Sequence, residues 1–164
     1  MAEVVLFHHA LGLNDPVRRF ADALRNAGHT VHTPDLYDGR TFDTIEDGVA
    51  YSEEIGGPMA MVDRGRVAVE SLPSEVVYVG FSLGVLPAQS LAQTRPGARG
   101  AVLCYAALPL GQWGRSGALR LSRHRALLRR ARRAGGRTAR GARARLPRLA
   151  VVPKQVVHPG LLGG

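Results

Sequence analysis

One short segment of this chain has a spacing that predicts a chemical reaction, Gly80-Phe81-Ser82-Leu83-Gly84. This G-x-S-x-G pattern is typical of a nucleophile elbow, in which a serine lies at a sharp turn between a strand and a helix. The turn forces the serine into a strained backbone conformation, and the flanking glycines let the chain approach itself closely. The pattern therefore predicts Ser82 as a nucleophile for acyl transfer, with its hydroxyl above the carboxyl edge of a sheet.

The sequence on either side of this motif supplies the strand and the helix that an elbow requires. Residues 76–79 form a short β-branched and aromatic run, which is typical of a buried strand. A helix is predicted after Gly84, with Pro87 close to its start. Because the first amides of a helix have no intrahelical partner, they can face a developing oxyanion. The Leu83 amide is the first candidate for such an oxyanion hole.

The rest of the first 110 residues predicts an α/β fold, a parallel sheet with helices on both faces. Strands are predicted at residues 3–8, 29–33, 76–79 and 100–107, and a fifth at residues 149–157 is compatible with the sequence. Between them, helices are predicted from residue 15 to 27, from 43 to 57 and from 59 to 72.

The first and third of these helices differ in how clearly the sequence shows an apolar face. The first shows helical spacing, with predicted core positions Val17, Phe20, Ala21 and Leu24. The helix at residues 59–72 is irregular, and Gly65 is expected to weaken it. Its predicted core positions are Met59, Val62, Val67, Val69 and Leu72.

The loop at residues 35–40 leaves the carboxyl end of the second predicted strand. Open α/β sheets bind their ligands at that edge. Tyr37, within this loop, is therefore expected to contact a substrate.

Three segments together resemble the dienelactone hydrolase family of α/β-hydrolases. They are the loop at residues 8–12 (HHALG), the segment at residues 34–40 (PDLYDGR) and the elbow at residues 80–84. The resemblance covers residues 3 to about 110 and is closest to the bacterial branch that carries serine where the founding enzymes have cysteine. It implies an ester or lactone substrate, Ser82 as nucleophile and the Leu83 and Ala10 amides as oxyanion hole. His9 falls where the founding enzymes place an acidic residue beside the nucleophile, so activation of the nucleophile is expected to differ here. From its place beside the nucleophile, His9 is also expected to contact the substrate.

The sequence departs from this family in its catalytic triad. A family member carries an aspartate after the strand that follows the elbow and a histidine near its end, but Glu75 is the last carboxylate side chain here. His124 and His158 are the only later histidines, and His158, after a plausible strand, is the candidate base. The resemblance therefore implies a serine hydrolase, and the missing triad acid implies that its catalytic activity is impaired. The fold is expected to be incomplete at its C-terminal end.

Charge divides the chain into a core at residues 1–110 and an Arg-rich tail at residues 111–164, irregular or partly helical. All 13 acidic residues lie in the core, whereas the tail holds 13 arginines and one lysine. One interpretation is a basic arm that binds nucleic acid, which makes a polyanion-binding protein the alternative function, although Trp113 alone could stack on bases. A second is an amphipathic helix at residues 119–133 that docks on the sheet or on an acidic membrane surface. A third is a change of reading frame near residue 111 in a GC-rich gene, since out-of-frame GC-rich codons yield mostly Arg, Ala, Gly and Pro.

Composition restricts the remaining possibilities. Cys104 is the only cysteine and lies in an apolar run, which favours a buried, unreactive thiol. No apolar stretch is long enough to cross a membrane, and the start of the chain lacks the basic region of a secretion signal, so a cytoplasmic location is expected. No residue pattern predicts a metal ion or another cofactor, and a small-molecule ester or lactone is the expected partner.

Overall fold

A four-stranded parallel sheet organises the fold of this protein. The computed structural model describes residues 1–109 and residue 113. In chain order the elements are β1 (Glu3–Phe7), α1 (Asp15–Asn26), β2 (Thr30–His32), α2 (Ile45–Glu54), α3 (Gly57–Ala68), β3 (Val76–Phe81), α4 (Val85–Thr94) and β4 (Gly100–Cys104), with one 3-10 turn at Ser82–Gly84 between β3 and α4.

The strand order β2-β1-β3-β4 places β1 and β3 at the centre of the sheet. Phe7 of β1 pairs in register with Gly80 of β3, and Phe81 of β3 pairs with Cys104 of β4. Because all four strands are parallel, the residues that follow β1, β3 and β4 emerge at the same edge of the sheet. That edge is where Ser82 and the loop after β1 lie.

Helices cover both faces of the sheet. Alternate residues of the strands point to opposite sides, so the apolar side chains on each face need a helix to pack against. On one face Val4, Leu6 and Val79 pack with α1. On the other, Phe7 and Tyr78 belong to the cluster that also contains residues of α3 and α4. The predicted parallel α/β fold is therefore confirmed.

The close packing of α3 against α4 explains why a glycine lies inside α3. A Cβ atom added at Gly65 would lie 2.4 Å from the Cβ of Pro87 and 3.4 Å from the ring of Phe7. Gly65 was predicted to weaken α3, but its missing side chain is what lets α4 approach. The helix also begins and ends earlier than predicted, at Gly57 and Ala68.

The remaining predictions about the elements have mixed outcomes. Cys104 is buried as predicted, and burial raises the pKa of its thiol to about 11, which keeps it protonated at neutral pH. Within the part of the chain that the structure describes, no helix is long and apolar enough to cross a bilayer. The fifth strand at residues 149–157 and the helix at residues 119–133 lie outside the described residues.

Candidate active site

Ser82 lies at the turn that joins β3 to the 3-10 turn and α4. Its φ angle is +48°, in the left-handed region that residues with a Cβ rarely adopt. The side chain is exposed. A strained and exposed serine at the carboxyl end of a central strand is the geometry that the G-x-S-x-G spacing predicts.

The two glycines of the motif are required by close backbone contacts on either side of Ser82. A Cβ atom at Gly80 would lie 2.4 Å from the carbonyl oxygen of Gly84. One at Gly84 would lie 2.5 Å from the carbonyl oxygens of both Phe7 and His8. The turn therefore folds tightly on itself and also rests on the end of β1, which brings Ser82 into the neighbourhood of the loop at residues 8–12.

That loop is held from its other side by α2. A Cβ atom at Gly48 of α2 would lie 2.0 Å from the carbonyl oxygen of Ala10, so only glycine allows the helix to approach this closely. The Phe42 amide donates a hydrogen bond to the carbonyl of Leu11 at 3.1 Å. Both contacts limit movement of the backbone at Ala10, one of the two predicted oxyanion donors.

His8 is buried at the end of β1 with both ring nitrogens occupied. The Leu36 amide donates to Nε2 at 2.9 Å, and Nδ1 lies 2.8 Å from the carbonyl oxygen of His9. An amide N–H can only donate, so Nε2 must accept and Nδ1 must carry the proton. Burial lowers the pKa of His8, which favours this neutral form despite Asp35 at 3.6 Å. His8 therefore has no free lone pair with which to act as a base.

His9 follows it and is half-buried in the same loop. The Leu11 amide donates to Nδ1 at 3.2 Å, so the neutral ring carries its proton on Nε2. Burial also lowers the pKa of His9. In this form the outer nitrogen can donate a hydrogen bond but cannot accept a proton, which suits contact with a substrate oxygen better than general-base catalysis.

The lowered pKa of His8 predicts a stability that depends on pH. Because the folded state binds its proton less readily than the unfolded state, the free energy of unfolding rises with pH between the two pKa values. Stability should therefore be complete above the ordinary value of 6.5 and fall below it, by up to about 1.4 kcal/mol per pH unit for this residue. Urea unfolding at pH 7.5 and 5.5 measures the slope. His8→Asn, which cannot titrate, should reduce it, and an equal slope in both proteins would contradict the assignment.

Tyr37 does not lie where a substrate could reach it. Its side chain is fully buried, and its hydroxyl donates to the carbonyl of Gly48 at 3.0 Å. The ring packs edge-on against Phe42 and Tyr51. The structure thus places this predicted substrate contact in the core, where it fixes α2 to the loop. Its position at the carboxyl edge was predicted well, but the direction of the side chain depends on aromatic neighbours distant in sequence.

Tyr105 lies at the same edge and was not among the predicted site residues. It follows β4 directly, its side chain is 58% exposed and its φ angle is +73°. Its ring centroid lies 6.2 Å from that of Phe81, the residue before Ser82. The fourth strand was predicted to continue to residue 107, which placed Tyr105 inside it, whereas β4 ends at Cys104 and leaves Tyr105 at the edge beside the elbow.

No complete triad forms within residues 1–109. The imidazole of His32 pairs with Glu3 at the amino end of β1, and the carboxylate of Glu75, which precedes β3, pairs with Arg99 at 2.7 Å. Both pairs lie at the end of the sheet opposite to Ser82. The predicted base His158 lies outside the part of the chain that the structure describes, as does the rest of the Arg-rich tail apart from Trp113.

Parallel strands with helices on both faces, together with an exposed serine at a glycine-flanked turn from strand to helix, define an α/β-hydrolase-like protein. The sequence model of the family described as "Dienelactone hydrolase family" matches residues 1–119, and the chain belongs to that family. This match continues past residue 110, where charge predicted the core to end. A search of curated proteins found no match. Membership places the chain among hydrolases, in general terms those of esters and lactones.

Proposed function

We propose that this protein hydrolyses a carboxylic ester or lactone through an acyl intermediate on Ser82. The Oγ atom attacks the carbonyl carbon as its proton passes to a base, and the carbonyl oxygen becomes an oxyanion. Collapse of this intermediate breaks the bond to the alcohol oxygen, which takes up the proton. Water then attacks the acyl-serine, releasing the acid and restoring Ser82. The observation that carries the proposal is the exposed Ser82 with φ +48° at the turn.

Two backbone amides support the same chemistry by their place in the fold. Leu83 is the second residue of the 3-10 turn, so its amide has no partner within that turn. The amide of Ala10 belongs to the loop that the turn touches through Gly84. Oriented amides of this kind stabilise charge that develops only in the transition state, and each is worth about 10²- to 10³-fold in rate.

We propose further that turnover is low. The two steps above need a base that first accepts and later returns a proton, and the base needs a carboxylate to hold its tautomer. In residues 1–109 the imidazoles of His8 and His9 are committed to backbone amides. No acidic residue follows Glu75 anywhere in the chain. The described residues thus supply candidates for the nucleophile and the oxyanion donors, but they supply no base to transfer the proton.

The proposal is tested by covalent modification of the nucleophile. The protein is treated with an excess of a fluorophosphonate, and the modified serine is located by mass spectrometry over several hours. Because strain, exposure and the two amides all favour attack at this position, Ser82 should react at least about tenfold faster than any other serine. Ser82→Ala should leave only the slower modification of the other serines.

Ser71→Ala is the matched control, since Ser71 is an exposed serine away from the turn. It should leave the rate of modification unchanged. Reaction of Ser82 at the same rate as the other exposed serines would overturn the proposed nucleophile.

A further inference from the structure

The peptide unit between His9 and Ala10 is fixed through its carbonyl oxygen. This oxygen accepts from the Gly12 amide at 3.0 Å and lies 2.8 Å from Nδ1 of His8. In a planar trans peptide the N–H points away from the C=O, so both contacts set the direction of the Ala10 N–H. Among the described residues none accepts a hydrogen bond from this N–H, so the described fold does not use it as a donor.

His8 can act as a donor here because its other nitrogen is held as an acceptor. The Leu36 amide, in the loop after β2, donates to Nε2 at 2.9 Å and thereby selects the tautomer with the proton on Nδ1. The ring of Tyr37 packs edge-on against the imidazole with 4.9 Å between centroids. His8 is 1% exposed, so water cannot replace either partner without opening the core. The imidazole is therefore a rigid link between two loops of the carboxyl edge.

We propose that His8 is a positioning residue, which aims the Ala10 amide at the substrate oxyanion by holding the carbonyl of His9. The inference rests on the proposed function and adds to it a residue that does not touch the substrate. A donor to the carbonyl also polarises the peptide, which makes its N–H a stronger donor. Without this donor the peptide keeps only the Gly12 contact and can rotate about it.

Two substitutions of His8 separate this role from a general contribution to stability. The side-chain amide of asparagine reaches the Nδ1 position, so His8→Asn can keep the donor to the His9 carbonyl and loses the Leu36 contact. Glutamine reaches the Nε2 position, so His8→Gln can keep the Leu36 contact and loses the donor. Each variant gives up one buried hydrogen bond, and their unfolding free energies should therefore fall by similar amounts.

The readout is the rate of fluorophosphonate modification at Ser82 together with ¹⁵N NMR of the amides. His8→Gln should slow modification at least about tenfold, as expected when one oxyanion donor is misdirected. It should also increase the mobility of the Ala10 amide in ¹⁵N relaxation, whereas His8→Asn should leave both measurements within about twofold of the unchanged protein. Equal effects of the two variants would overturn the proposal.

A measurement on the unchanged protein keeps the test decisive if both variants fail to fold. The ¹⁵N shifts of the His8 ring at pH 7.5 should show a neutral imidazole protonated on Nδ1, and a proton on Nε2 would overturn the inference. This result does not depend on activity. If Ser82 proves unreactive in every protein, the proposed function fails, while the ring tautomer and the Ala10 relaxation still decide the role of His8.

Discussion

Replacing Gly84 with alanine is expected to destabilise the protein by about 3 kcal/mol and to abolish the reactivity of Ser82. The new Cβ would lie 2.5 Å from the carbonyl oxygens of Phe7 and His8, and neither backbone atom can move without disturbing β1. The backbone of Gly84 is right-handed, with φ −63°, so alanine is not strained there. Near a helix start that faced solvent, the same change would stabilise by a few tenths of a kcal/mol or more. Whether Gly84→Ala lowers or raises the free energy of unfolding therefore depends entirely on the contact between the turn and β1.

Gly28→Ala is the control for this prediction. Gly28 has φ +88° and no atom within 4 Å of an added Cβ, so the substitution costs backbone strain without a clash. We expect a loss of about 1 kcal/mol and no change in the modification of Ser82. Urea unfolding of both variants supplies the comparison. A Gly84→Ala protein as stable as the unchanged chain would show that the turn does not rest on β1.

The features predicted correctly from the sequence are those encoded over a few residues. The G-x-S-x-G spacing correctly predicted an exposed, strained serine. The glycines on both sides of it are required by close contacts within the turn and with the adjoining strand. The core positions of α1 follow in the same way, since Val17, Ala21 and Leu24 recur at helical spacing and are buried. In both cases the local pattern is itself the cause of the structure.

The features that were missed depend on partners distant in the chain. Met59 and Val67 were predicted as core positions of α3 and this was wrong, because they are 55% and 65% exposed. Val62 was predicted correctly, but Met61 and Gly65 also face inward, and the reason is the contact of Gly65 with Pro87 of α4. An irregular apolar pattern could not reveal that α3 would meet α4 through Pro87, 22 residues after Gly65.

The same limit applies to the histidines of the loop after β1. The sequence predicts only that two histidines lie next to each other at the end of a buried strand. Which nitrogen carries the proton is decided by the Leu36 amide for His8 and by the Leu11 amide for His9. The first of these partners is 28 residues away, so the tautomer and its consequence for Ala10 required the structure.

The hydrolysis of p-nitrophenyl acetate should depend on Ser82 only weakly, by no more than about tenfold in rate. With an intact triad, loss of the nucleophile lowers kcat by about 10⁶-fold, whereas the oxyanion hole and substrate binding alone retain about 10³- to 10⁴-fold over water. Here the acid is absent from the sequence after Glu75, and the described imidazoles near Ser82 are committed to amides. We therefore expect the unchanged protein to exceed Ser82→Ala by no more than about tenfold.

Initial rates of both proteins, measured at the same concentration and at pH 7.5, test this prediction. Free imidazole supplies the control, because a small base that can reach the exposed Ser82 should raise the rate of the unchanged protein more than that of Ser82→Ala. A ratio above about 10³ without imidazole would mean that a residue outside 1–109 completes the proton transfer, and His158→Ala would then be the variant that identifies it. A low ratio that imidazole increases would instead locate the defect in the base and leave the geometry of the turn intact.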